Sequence, residues 1–294
     1  MQKPTLLHWS LLGFLSIAWG FAFYLIAVAL DSFGPLTIVA IRLAVGTATL
    51  YLVMRWQGHR LPPLGPWWPR FTVLAVFGNA LPFTLIAWAE TRISSAQAGL
   101  LMALMPISTM ALSHFFVAGD QMGRSRLAGV LLGFVGVAVL VGGDVLGGSL
   151  GAEVWAQIVV LIATLCYAVN TVYAKRLPDL DAVVMGVGAL LVGSLIILPF
   201  SLYLEAPDLA GAQWLDTLAA VALGVVSTGL ATWAYFRVVA DCGPSFLSLI
   251  NYIIPAIAFA AGVFFLGESA SVAQFIGLAV VLVGIGLAQR RGPA

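Results

Sequence analysis

Charge is what this chain has least of. Asp, Glu, Lys and Arg together make up only 9% of its 294 residues, and 62% are hydrophobic. A soluble globular domain carries about a quarter charged residues, so this composition excludes one. Cysteine is almost as scarce. Cys166 falls inside one apolar run and Cys242 between two others, so no disulfide is expected and neither thiol has the company a metal site needs. The sequence presents no metal cluster, no cofactor motif and no catalytic triad, so neither an enzyme nor a cofactor is expected. A formal net charge of +1 gives no reason to propose nucleic-acid binding.

Apolar runs fill the space that charge leaves. Crossing about 30 Å of hydrocarbon takes roughly 20 apolar residues, and each span must satisfy its own backbone hydrogen bonds, so the runs should be helices. Ten candidates lie near 6–30, 34–54, 71–89, 94–118, 124–142, 153–174, 182–204, 213–236, 244–266 and 270–288. The fold class expected is an all-α integral membrane protein, embedded in the lipid bilayer. Lys3, the first run and Ala27-Val28-Ala29 imitate a signal peptide. The run is longer than the 7–15 residues of a signal core and carries Trp19, Phe23 and Tyr24, so it reads as a retained helix.

Threading ten spans sorts the charges. One side receives Lys3, Arg55, Arg60, Arg70, Arg124, Arg126, Lys175, Arg176, Arg237, Arg290 and Arg291. The other receives Arg92 with Asp31, Glu90, Asp144, Glu153, Glu205, Asp208, Asp216 and Glu268. The positive-inside rule then puts both termini in the cytoplasm.

Residues 94–141 are echoed by 243–287. Each segment has a proline within an apolar run (Pro106, Pro255), then Gly-acid (Gly119-Asp120, Gly267-Glu268), then a helix with spaced glycines. Gly129 and Gly136 correspond to Gly277 and Gly284. Two units of five helices are expected, 1–145 and 152–294. Five is odd, so the second enters the membrane from the opposite side. Inverted repeats of this kind serve alternating access in secondary transporters. The bland reading is a duplicated anchor or scaffold. A channel is the other rival class, but no ring of charges or carbonyl filter is evident.

With its paired prolines, Gly-acid pairs and glycine-rich helices, Trp19-Gly20 in the first helix and Arg42 within IVAIRLAVG in the second, the chain resembles the drug/metabolite transporter superfamily. It is similar to the ten-helix EamA-type branch, and within that to amino acid exporters, including those for aromatic amino acids. The resemblance covers nearly the whole chain. It departs in the second half, where Val183-Val184-Met185 supplies no arginine matching Arg42. It implies export of small metabolites through a cavity between the halves, across a bacterial-type inner membrane. Amino acids are the substrate class expected, with drugs or sugars as alternatives.

Arg42 is the only charge plainly inside a span. A mid-helix arginine costs about 2.5–3.5 kcal/mol on insertion scales, so it needs compensation. It can hook a substrate carboxylate. Alternatively, it snorkels to the interface or ties helices through carbonyls or Glu90. No Asp or Glu lies near the middle of a span, which disfavours a cationic-drug antiporter and favours neutral or zwitterionic cargo. His114, near the cytoplasmic end of the fourth helix, reads as a structural histidine rather than a proton relay.

Polar side chains at mid-depth mark a candidate cavity. Asn79 and Phe83 share a face of the third helix beside Pro82, and Tyr167, Asn170 and Thr171 share one on the sixth. Ser245, Ser248, Asn251 or Tyr252, and Pro255 form a stripe on the ninth. The candidate substrate-binding set is therefore Trp19, Arg42, Asn79, Phe83, Tyr167, Asn170, Ser248, Asn251 and Tyr252. The bland alternative is helix–helix hydrogen bonding. Pro82, Pro106 and Pro255 are candidate hinges or kinks. Gly129, Gly133, Gly277 and Gly284 are candidate packing positions, within one chain or between two copies, so a monomer and a homodimer both stay open. Gly147-Gly148-Ser149-Leu150-Gly151 spells GxSxG, but it is expected in a linker rather than in the strand–turn–helix a hydrolase requires.

Overall fold

The computed structural model describes residues 3–117, 122–146, 151–208 and 210–289, with side chains for all of these except 143–146. Gly119, Asp120, residues 147–150 of the GxSxG string, Arg290 and Arg291 lie outside the described residues, as does the Asp144 side chain. Among the described residues, ten helices are long and apolar enough to cross a membrane. They are α1 Leu6–Ala29, α2 Pro35–Trp56, α3 Trp67–Glu90, α4 Ser95–Phe116 and α5 Arg124–Leu146, then α6 Ala152–Ala174, α7 Ala182–Leu204, α8 Trp214–Cys242, α9 Pro244–Leu266 and α10 Val272–Gln289.

Two helices run further than hydropathy suggested. α3 starts at Trp67, whose ring stacks on Phe71, and α8 runs on to Cys242 through an Arg237–Asp241 pair one turn apart. Both extensions are amphipathic turns that a hydropathy boundary cuts off. Arg237 and His8 both reach Asp241, which fastens the start of α1 to the end of α8.

The third and fourth helices of each half are irregular. α3 contains a π turn at Val76–Ala80 and α8 one at Val225–Leu230, related by the sequence repeat. π turns inside α-helices gather at functional positions. α4 tightens into a 3₁₀ turn at Met102–Leu104, and α9 breaks between Pro244–Leu247 and Ile250–Leu266. Pro82 and Pro106 sit just after their irregular turns. Pro255 instead lies inside the continuous part of α9, whose break falls earlier, at Ser248–Leu249. Pro199, inside α7, is a further proline of the same kind.

Renumbering each helix by five leaves most of the packing unchanged. α2 packs on α7, α4 on α9 and α5 on α10, pairs that are their own images. The α1–α9 contact is matched by α4–α6, α3–α6 by α1–α8, and α2–α8 by α3–α7. Several contacts break the pattern. Among them, α1 packs on the Ser95–Leu101 end of α4, with no comparable packing of α6 on the Pro244–Leu247 end of α9. The bundle is closed at the face carrying Glu90, Glu205 and Glu268, here the acidic face. The opposite, basic face carries the Pro244–Leu247 end of α9, without comparable packing from α6.

Closure at the acidic face has a definite chemistry. Glu205, just past α7, accepts the N–H groups of Leu36 and Thr37 at 2.9 and 2.7 Å. Glu268, past α9, accepts those of Ser95 and Ala96 at 2.8 and 2.9 Å. Each second-half carboxylate thus caps a first-half helix, where orphan donors and the helix dipole both favour negative charge. Beneath Glu268, α4 and α9 touch through small residues. A Cβ placed on Gly262 would lie 2.9 Å from that of Ala96, and one on Gly99 would overlap Ala258.

The α5–α10 seam is tighter still. A Cβ on Gly284 would sit 2.8 Å from both the Gly129 carbonyl oxygen and the Gly133 nitrogen, and one on Gly136 would sit 3.0 Å from the Gly277 oxygen. These glycines therefore pack helices within one chain. Leucine at 284 should destabilise the protein by about 1–3 kcal/mol or more, since backbone cannot yield as a side chain would. Leucine at 286, where a Cβ meets only the Tyr252 hydroxyl at 3.8 Å, should be nearly silent. Apparent Tm in detergent and membrane abundance measure the contrast; equal losses at both positions would refute the seam.

Candidate functional site

The site is built where α2 crosses the π turn of α8. Glycines allow the crossing: a Cβ on Gly46 would lie 2.7 Å from Thr228, and one on Gly229 would lie 2.6 Å from Thr49. This approach carries Arg42 to Thr228. The guanidinium donates from Nε to Thr228 Oγ1 at 2.9 Å, and its carbon lies 3.7 Å from the centroid of the Phe83 ring. The residue is only 6% exposed, so it has not snorkelled to the interface. A desolvated cation over an aromatic face gains about 2 kcal/mol, offsetting part of its burial cost. Among the described residues, neither Nη nitrogen has a hydrogen-bond partner. Tyr167 and Glu90 are its electrostatic neighbours.

Around this centre the two π turns hold the other groups. Trp19 Nε1 donates to the Ser227 carbonyl at 3.0 Å, and Ser227 Oγ donates back to the Ala18 carbonyl at 2.7 Å. Trp19 also meets Tyr235, with ring centroids 5.8 Å apart. In the other half Asn170 lies against Gly78, where a Cβ would be 2.8 Å from its Nδ2. Its Oδ1 is buried without a hydrogen-bond partner. Asn79 is the next residue of that turn and is half-buried. Phe83 and Tyr167 thus neighbour Arg42, Trp19 reaches the same π turn as Arg42, and Asn170 lies against the other π turn, which carries Asn79.

Ser248 and Tyr252 stand apart from it. Tyr252 Oη donates to Gln289 Oε1 at 3.1 Å, and Ser248 Oγ donates to the Ser245 carbonyl at 2.8 Å and lies 3.5 Å from the same Gln289 oxygen. Both are engaged at the basic end of α9 and α10. Asn251, half-buried, lies between them in sequence. The expected stripe spans the break at Ser248–Leu249, across which Ser248 and Tyr252 still converge on one Gln289 oxygen. His114 has a structural use: its Nδ1 accepts the Met122 N–H at 3.0 Å.

By sequence Glu90 counts among the loop charges, one position past the apolar run, and enters only as a possible tie for Arg42. It is instead the last residue of α3, and both its carboxylate oxygens are buried without a hydrogen-bond partner. Its charged neighbours are Glu268 and Arg42. A depression of about 580 Å³ on the acidic face is lined by Asp31, Ser32, Glu90 and Thr91. The available signal was an acid in a run that continues helical up to it.

Arg42, with Phe83 against it, lies buried between elements of the two sets of five helices. The model of the EamA-like transporter family matches residues 7–142 and again 154–289. The chain belongs to the EamA-like transporter family. It is a membrane transporter. As an EamA-like transporter it is 24% identical over 275 residues to the uncharacterized inner membrane transporter YedA of Escherichia coli, covering 92% of this chain and 87% of that one. It is 25% identical over 277 residues to a probable terminal-alkyne amino-acid exporter of Streptantibioticus cattleyicolor, covering 94% and 91%. A solved crystal structure shares the fold with a TM-score of 0.68 at 21% identity, over 95% of each chain.

Proposed function

We propose that this EamA-like transporter exports amino acids, aromatic and other neutral ones among them, from the cytoplasm across a bacterial-type inner membrane. One observation carries the reading. Arg42 is buried and fixed by its Nε and its stacked face, while its two Nη donors remain unspent. A planar fork held this way matches a carboxylate bidentately. Phe83, Tyr167 and Trp19 beside it suit an apolar side chain, and Asn79 and Asn170 add neutral polar contacts. A relative named as a probable terminal-alkyne amino-acid exporter supports this substrate class.

Transport proceeds by alternating access between halves 1–145 and 152–294, inserted in opposite senses, with both termini in the cytoplasm. The acidic face is then periplasmic and shut, and the basic face is cytoplasmic and open beside α9. Exchanging the halves gives the second state: α6 closes on the Pro244–Leu247 end of α9, and α1 leaves the Ser95–Leu101 end of α4.

The test is counterflow in proteoliposomes with a panel of labelled amino acids. Neutral amino acids should exchange saturably, with unlabelled cargo inside the vesicles raising uptake several-fold. Exchange of a sugar or a drug, but no amino acid, would overturn the substrate class. Unsaturable flux without counterflow would indicate a channel.

A further inference from the structure

Glu90 has no role in a carrier that uses only Arg42, and its geometry is costly to leave unexplained. A buried carboxylate with neither oxygen hydrogen-bonded loses its hydration with nothing in return. It interacts with Arg42, yet the two are not hydrogen-bonded to each other. An acid and a guanidinium that neighbour each other without a hydrogen bond match the two ends of an absent zwitterion.

We infer that Glu90 is the ammonium-binding and proton-binding group of the site, so that a proton and the cargo's ammonium occupy it alternately. This rests on the amino-acid reading above. The cargo's carboxylate takes the Arg42 fork and its ammonium donates to the Glu90 oxygens. A proton from the acidic-face depression displaces the ammonium there and is given up at the basic face, where the next cargo replaces it. One proton enters for each zwitterion that leaves, while Arg42 stays charged throughout.

The groups that bear on this equilibrium are few. Arg42 from α2 and Glu268 beyond α9 are the charged neighbours of Glu90. Tyr167 of α6 faces Arg42. Asp31 shares the depression, and Arg92, next along the chain from Thr91, lies over Trp88 at 4.2 Å.

The experiment compares wild type, Glu90→Gln and Glu90→Asp in proteoliposomes. In wild type, an imposed pH gradient should drive labelled amino acid uphill, and the counterflow KM should rise about tenfold from mildly basic to mildly acidic pH as protons compete. Glu90→Gln should lose the uphill accumulation by at least about tenfold and show a raised but pH-independent KM, because an amide still accepts a hydrogen bond but takes no proton. Glu90→Asp should restore the pH dependence. Uphill accumulation by Glu90→Gln, or a wild-type KM unchanged with pH, would overturn the inference; the second result needs no variant to fold. Absence of amino-acid counterflow in wild type would instead defeat the substrate reading, and the ammonium assignment with it.

Discussion

Arg42→Gln should reduce amino-acid counterflow by about 10- to 100-fold in kcat/KM. Hydrogen bonds to a charged group contribute about 1.5–3 kcal/mol each, and a tenfold change corresponds to about 1.4 kcal/mol. The bidentate pair is therefore large enough to dominate recognition. The same substitution removes the Nε bond to Thr228, so a loss of activity could reflect a loosened α2–α8 crossing. Thr228→Val separates the two effects. It deletes the structural acceptor and leaves the fork, so it should lower Tm while changing KM much less than Arg42→Gln does. Arg42→Lys keeps the charge without the planar fork, and should fall between wild type and glutamine. If Arg42→Gln kept the wild-type KM at normal abundance, the arginine would be structural alone.

Ala96→Cys with Gly262→Cys should yield a carrier that oxidation stops and reduction restarts. A Cβ on Gly262 would lie 2.9 Å from that of Ala96 and closer still to the Glu268 carboxylate. That is shorter than the roughly 3.5–4.5 Å Cβ separation a disulfide adopts, so the seam must widen by about 1 Å and the carboxylate must turn aside to admit the bridge. A bridge there would hold α4 against α9 beneath the Glu268 cap and forbid the second state. Exchange should fall to background when oxidised and recover fully with reductant. Cys166 and Cys242 are both buried and unpaired, which leaves little native thiol to confuse the result. Full exchange through a cross-linked seam would mean that the acidic face opens elsewhere, and the symmetry argument would fail.

Much of this architecture is legible in the chain because apolar length and glycine spacing are dictated by bilayer thickness and backbone approach. Gly129, Gly136, Gly277 and Gly284 stand out in a repeat because only glycine fits where two backbones touch. The two π turns are not legible in that way, since one extra residue barely disturbs an apolar periodicity. Their trace is local: Gly78-Asn79 and Ser227-Thr228-Gly229, polar or small residues at mid-span. Glu90 was misread for a different reason. Hydropathy assigns a charge at a helix end to water, whereas the direction of the side chain decides its solvent. For Ser248 and Tyr252, helical spacing predicted a shared cavity face, but Gln289 drew both towards α10.

The glycine seam also has a consequence for biogenesis. α5 belongs to the first half, but the surface it must bury is supplied by α10, with four helices between them in the chain. During synthesis the glycine face of α5 therefore waits in lipid while α6 to α9 are inserted. Small residues make that wait tolerable, since they leave neither bulky apolar knobs nor exposed polar groups to recruit a wrong neighbour. Docking of α10 then joins the ends of both halves at once.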